Sequence, residues 1–306
     1  MPRSLKSIGA LVKQAASEWI DQDVSSRGAA LAFYTLFAIA PLFVIVLAIA
    51  GLWFEEEAAR RELFSQVSGL VGSAGGEAIQ QLVTAARQPQ AGIWATAFAV
   101  VALFVGATGV FVQLQDALNA IWGVRRLPGR GLRDFIRDRL LSFALILGIG
   151  FLLLVSLVLS AGLSALDNFM VGWLPAQATL WQGINFVISF GVITLLFAMI
   201  FKVLPDAKIA WQDVWIGAFI TALLFNLGKY LLGLYLGRSS VSSAYGAAGS
   251  LVIVLLWVYY SAQILFFGAK FTQIYSNRHG ACIEPVPGAK EVTLKDVASE
   301  QPHPTN

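Results

Sequence analysis

The chain has 306 residues, of which 57% are hydrophobic and 13% charged, with a formal net charge of +3. Soluble domains carry about 25% charged residues, so a mean hydropathy of +0.71 excludes an ordinary water-soluble fold and points to a lipid solvent. The single cysteine, Cys282, excludes an intrachain disulfide, a cysteine metal pair and a redox dithiol.

The first expected element is an amphipathic helix over Leu5 to Ile20. There Leu5, Ile8, Leu11, Val12, Ala15, Ala16 and Trp19 recur at helical spacing, while Lys6, Lys13 and Glu18 lie off that stripe. Such a helix is expected to lie on the inner membrane surface with Trp19 at headgroup depth. Its apolar residues are interrupted by Lys6, Lys13, Glu18, Asp21 and Asp23, a pattern unlike a cleaved signal.

Long charge-free runs follow. There are 27 residues between Arg27 and Glu55, 28 between Arg87 and Asp116, 27 between Arg139 and Asp167, and 34 between Asp167 and Lys202. Lys229 alone interrupts the stretch from Asp213 to Arg238, and 31 more uncharged residues separate Arg238 from Lys270. A transmembrane helix needs about 20 mostly apolar residues. Six spans are therefore expected, near residues 29–54, 93–113, 141–166, 182–204, 214–236 and 250–272. Runs of this length without period-two alternation are helices and not barrel strands. The expected fold is all-α: a polytopic membrane protein with six transmembrane helices and an N-terminal amphipathic interfacial helix. The membrane domain covers residues 1–280, and 281–306 is expected to be a disordered, proline-bearing cytoplasmic tail.

Summing Lys and Arg over alternate loops gives sixteen on the side of both termini and four on the other, with Lys229 inside a span. By the positive-inside rule both termini are expected in the cytoplasm. The first external loop, residues 55–90, has room for two short helices around Gly72, Gly75 and Gly76. The basic residues sit where insertion and anionic headgroups favour them, so membrane lipids are the expected partners and nucleic acid is not. A homo-oligomer is left open.

Several polar groups within or beside the spans stand out. Lys229 lies 15 residues into the fifth span, with Asn226 about one turn earlier on the same face. Either its stem snorkels outward or its ammonium serves a polar cavity. At the inner ends of three spans, Gln115, Asp116 and Asn119, then Tyr260, Gln263 and Lys270, then Tyr34 and Thr35 are candidates to line a vestibule in which Lys270 neutralises Asp116. The bland alternative is hydrogen bonding that only fixes the bundle. Pro41 is a candidate hinge, and Gly233 with Gly237 a candidate close-packing pair. The uncharged segment 239–249 is either a packed loop or a re-entrant gate.

A resemblance adds to this reading. It rests on the stretches LPDAKIAWQDVWIGA from Leu204, LFNLGKYLLGLYLGR from Leu224 and LLWVYYSAQILFFGAKFTQIY from Leu255. AALAFYTLFAIAPL from Ala29 and LQDALNAIWGV from Leu114 add to it. Over about residues 1 to 280 the chain closely resembles the YihY/virulence factor BrkB family of bacterial inner-membrane proteins. That resemblance implies a six-helix inner-membrane protein, in a family some of whose members have been labelled ribonuclease BN. Lys270 stands where the family commonly has the acidic residue of a G-A-E motif.

Metal-assisted RNA hydrolysis needs clustered His, Asp and Glu. The two histidines, His279 and His303, lie in or beside the tail, and there is no nucleophile elbow, phosphate-binding loop or dinucleotide fingerprint. The chain is accordingly not expected to be an enzyme or to use a cofactor or metal. Transport or export of a small solute, of anionic character if Lys229 takes part, or of a lipid, accounts for more of the residues. A non-catalytic envelope scaffold is the alternative.

Overall fold

The computed structural model describes residues 2–21, 23–50, 55–86, 93–127, 177–238, 248–280 and 283–292. In chain order the helices are α1 (Pro2–Asp21), α2 (Val24–Ala50), α3 (Glu56–Val71), α4 (Ser73–Ala86), α5 (Ile93–Trp122), α6 (Gln177–Val203), α7 (Trp211–Arg238) and α8 (Gly249–His279). Four short strands accompany them: β1 (Val124–Arg126), β2 (Ala207–Lys208), β3 (Glu284–Pro285) and β4 (Ala289–Glu291).

Helices α2, α5, α6, α7 and α8 follow the long, nearly charge-free runs, where every backbone N–H and C=O must be satisfied within its own segment. Among the described residues, three helices are long and apolar enough to cross a membrane: Phe186–Val203 within α6, Trp211–Leu236 within α7, and Gly249–His279. These coincide with the expected fourth, fifth and sixth spans. Helices α2 and α5 occupy the expected first and second, and α2 continues through Pro41 to Ala50. The expected third span, 141–166, lies outside the described residues, as do residues 239–247 of the suspected gate.

The chain divides into two compact units, Met1–Trp19 with Gln115–Ala222 and Phe267–Asn306, and Ile20–Leu114 with Leu223–Phe266. In the first, Leu11 and Ala15 of α1 pack with Phe271 and Ile274 of α8. The stripe read from the sequence thus buries at least these two residues against protein. In the second, Phe64 of α3 and Ala78, Ile79 and Val83 of α4 form one core with Leu232 and Leu236 of α7 and Val254 and Val258 of α8. Helix α3 stops at Gly72, whose positive φ of 81° turns the chain and lets its N–H reach Ser68 O at 2.8 Å.

The expectation of disorder from residue 281 is corrected for residues 283–292. Antiparallel pairing sets β4 on β1, with Val124 opposite Glu291, and β3 on β2, with Lys208 opposite Glu284. Val286 N–H donates to Asp206 O at 3.0 Å and Val292 N–H to Gly123 O at 2.9 Å. The polar, proline-bearing composition suggested disorder, but these backbone groups find partners far away in sequence.

Candidate functional site

The first unit contains three buried polar clusters. In one, Asp206 follows the end of α6 and Asn119 lies in the last turn of α5. Asn119 Nδ2 donates to Asp206 Oδ2 at 2.8 Å, Asp206 N–H donates back to Asn119 Oδ1 at 2.8 Å, and Arg126 Nε reaches Asp206 Oδ2 at 2.6 Å. Gln115, one turn before Asn119, donates to Leu204 O at 3.0 Å. The i, i+4 spacing of Gln115 and Asn119 therefore does put both on one face, and that face closes the turn between α6 and α7. Asp116, between them, is exposed.

The second cluster joins Lys270 of α8 to Glu18 of α1. Lys270 is 1% exposed, and its Nζ lies 2.7 Å from Glu18 Oε2. The expected pairing of Lys270 with Asp116 is corrected to a pairing with Glu18, because α1 packs its buried face directly on α8. Gln14 Nε2 donates to Glu18 Oε1 at 2.7 Å, and Arg278 donates to Gln14 Oε1. Burial pushes the Glu18 carboxyl up, but hydrogen bonds from Lys270 and Gln14 and the charges of Lys270 and Arg278 outweigh it, leaving the carboxyl below its ordinary value.

In the third, Ser276 Oγ of α8 donates to Asp213 Oδ2 of α7 at 2.7 Å, both residues being buried. Asp213 sits in the first turn of α7, where the helix dipole favours its charge. Gly280 leaves room for it: a Cβ there would come 2.6 Å from Asp213 Cγ.

The second unit holds the remaining sequence candidates. Lys229 is half-buried in α7, and its Nζ donates to Gly69 O of α3 at 2.9 Å. Asn226, also half-buried, precedes it by three residues. Tyr260 packs against Gly228, where a Cβ would lie 2.7 Å from its Cε1. Gln263 Nε2 reaches Ser25 O at 3.4 Å, and Gly109 leaves space for the Tyr34 ring. Thr35 Oγ1 donates to its own helix at Leu31 O, 2.8 Å away.

The candidates of the expected vestibule are thus divided between the units: Gln115, Asp116, Asn119 and Lys270 in one, Tyr34, Thr35, Tyr260 and Gln263 in the other. Among the described residues nothing lies within 4 Å of where a Cβ on Gly233 would be; Gly237 lies one turn further along α7. Sequence reasoning missed Glu18, Arg126, Asp206, Asp213 and Ser276 as members of buried networks. Asp206 and Asp213 were visible as the two carboxylates flanking the Lys208 turn, and that was the available signal.

The second unit also has a pocket of about 340 Å³ on the α3–α4 hairpin, lined by residues that include Arg60, Arg61, Ser65 and Ser68.

A family model described as Virulence factor BrkB matches residues 15–292. The chain is 28% identical over 256 residues to a UPF0761 membrane protein of Verminephrobacter eiseniae, covering 79% of this chain and 56% of that one. It is 30% identical over 264 residues to a UPF0761 membrane protein of Pseudomonas paraeruginosa, covering 83% and 60%. The chain therefore spans less than two thirds of the length of these relatives. No solved structure matches it.

Proposed function

Because the chain belongs to the BrkB family of membrane proteins, we propose that it is a multi-pass inner-membrane carrier or exporter, with both termini cytoplasmic, for a small anionic solute or an anionic lipid. The observation that carries this reading is Lys229. It lies within the apolar stretch Trp211–Leu236, where a charge is costly and tends to be retained for function. Its hydrogen-bond partner among the described residues is the neutral carbonyl of Gly69. Among the described residues no carboxylate pairs with the ammonium, and with one neutral acceptor engaged it has two further donors to offer. An anionic group arriving beside Lys229 meets both.

Proteoliposomes carrying the full chain test this with a labelled phosphatidylglycerol and with glycerol phosphate as probes. Lys229→Ala is expected to reduce movement of whichever probe is carried to the protein-free background. Unchanged flux in Lys229→Ala removes the lysine from the mechanism.

The same bond favours a second reading, an envelope scaffold in which Lys229 fastens the α3–α4 hairpin to α7. That reading expects no flux of any probe, and faster proteolysis of the hairpin in Lys229→Ala.

A further inference from the structure

We infer that the α3–α4 hairpin carries an anion subsite, with Arg60 and Arg61 as the recognising side chains and a phosphate-type oxyanion as the ligand. The pocket has about 340 Å³ of space, within the range of about 300 to 1,000 Å³ typical of small-ligand sites. Its α3 wall is one face of the helix: Arg60, Arg61, Phe64, Ser65 and Ser68 fall at three-, four- and seven-residue separations. Gln80 of α4 closes the other side.

Arg60 is held in place before any ligand arrives. Its guanidinium donates to Thr84 Oγ1 of α4 at 3.1 Å and lies 5.9 Å from the centre of the Phe64 ring. Phe64 is itself buried in the hairpin core, so the contact fixes the guanidinium against a rigid surface. Fixing an arginine in advance removes much of the ordering cost of binding.

Arg61 is exposed and has no ion-pair or hydrogen-bond partner among the described residues. Glu57, the one carboxylate in the lining, is not ion-paired to either arginine within 4.0 Å. Among the described lining residues two guanidiniums face one carboxylate, a positive balance. Each guanidinium presents a planar fork of donors suited to two oxygens of a phosphate.

The hydroxyls of Ser65 and Ser68, both in the lining, supply weaker donors. Ser68 is brought into the hairpin by Gly76: a Cβ there would come 3.0 Å from Ser68 Cβ and closer still to its hydroxyl. Gly69, one residue beyond Ser68, is the acceptor for Lys229. The subsite therefore lies on the same helix that receives the intramembrane ammonium, and its role as an entry or exit point rests on the transport reading above. Its ability to bind does not.

The test is equilibrium binding to the full chain purified in uncharged detergent. The probes are radiolabelled inorganic phosphate, glycerol phosphate and a short-chain phosphatidic acid. Saturable binding is expected for at least one probe, with Arg61→Glu weakening it tenfold or more and Arg61→Lys, which keeps the charge but loses the planar fork, weakening it less. Arg61 is exposed and pairs with none of the described residues, so thermal unfolding of both variants should match the parent. If glycerol phosphate competes as well as phosphatidic acid, the ligand is soluble; if only the acylated probe binds, it is a lipid headgroup. Absence of saturable binding for all three probes, or binding unchanged in Arg61→Glu, overturns the subsite. Binding without flux in proteoliposomes would leave the subsite standing and remove the transport reading.

Discussion

Gly217 of α7 and Thr272 of α8 fill one another's space: a Cβ added at Gly217 would come 2.7 Å from Thr272 Cβ and fall still closer to its hydroxyl oxygen. One turn away the roles reverse, because Gly268 of α8 receives Thr221 of α7 in the same manner. Each threonine hydroxyl donates to the carbonyl four residues back in its own helix, Thr221 to Gly217 O at 2.7 Å and Thr272 to Gly268 O at 2.6 Å. The two helices interlock through a reciprocal glycine–threonine pair with no unsatisfied hydroxyl. In lipid, where apolar burial gives little drive to helix association, such close packing supplies it.

A methyl group at Gly217 therefore forces the helices apart. Gly217→Ala should lower stability by about 1 to 3 kcal/mol, the range for overpacking a tight contact. Gly233→Ala, where nothing lies within 4 Å, should be neutral or stabilising by up to about 1 kcal/mol through helix propensity. Thermal unfolding in detergent compares the two. Equal effects at both positions would show that the interlock does not hold α7 to α8.

This contrast also marks what the sequence could reveal. Long uncharged runs are a local property, so helices α6, α7 and α8 were legible within a few residues. The Gly233–Gly237 spacing is the packing pattern visible in the sequence, whereas the close approach between α7 and α8 is made at Gly217 and Gly268, which have no such spacing. Which glycine faces a neighbour depends on helix rotation, and no single helix encodes it. The Lys270 partner was hidden for the same reason. Asp116 lay at a similar expected depth, whereas Glu18 sits on α1, about 250 residues away, and only the packing of Leu11 and Ala15 on Phe271 and Ile274 brings it near. The tail strands were obscured because β3 and β4, of two and three residues, have no sequence period long enough to read.

The Lys270–Glu18 pair predicts an asymmetry. Lys270 is 1% exposed, whereas the Glu18 side chain is 36% exposed. Removing the carboxylate strands an ammonium away from water; removing the ammonium leaves a carboxylate that water still reaches. Glu18→Gln should cost about 3 kcal/mol, at the low end for breaking a buried pair, and Lys270→Met less than about 1 kcal/mol. A larger loss from Lys270→Met than from Glu18→Gln would contradict this arrangement.

The same pair sets a pH dependence. The folded-state pKa of Glu18 lies below its ordinary 4.5, so its contribution is fully present above that value and is lost as pH falls through the lower folded-state value. Protection of α1 against hydrogen exchange, taken relative to the intrinsic rate at each pH, should be unchanged between pH 7 and pH 5, then fall at more acidic pH. In Glu18→Gln the part of that dependence due to Glu18 should vanish. Retention of the full acid response in Glu18→Gln would assign it to another group.

Asp206 predicts how the end of α6 is tied to the strands. Its carboxylate accepts from Asn119 and Arg126, its N–H donates to Asn119, and its carbonyl accepts from Val286. The residue is 9% exposed, so Asp206→Ala leaves a nearly buried amide and part of a guanidinium without their acceptor, at about 1 to 3 kcal/mol for the unmet hydrogen bonds. Asp206→Asn keeps the shape but offers a neutral oxygen to Arg126, and should lose about half as much. Both variants keep the backbone carbonyl that Val286 uses, so residues 283–292 should stay paired in Asp206→Asn, where the side chain still holds the turn, and exchange faster in Asp206→Ala, where the turn loses its ties to Asn119 and Arg126. Limited proteolysis at the end of the chain reads that difference directly. Equal protection in the two variants would mean that the carboxylate network and the strand pairing are held independently.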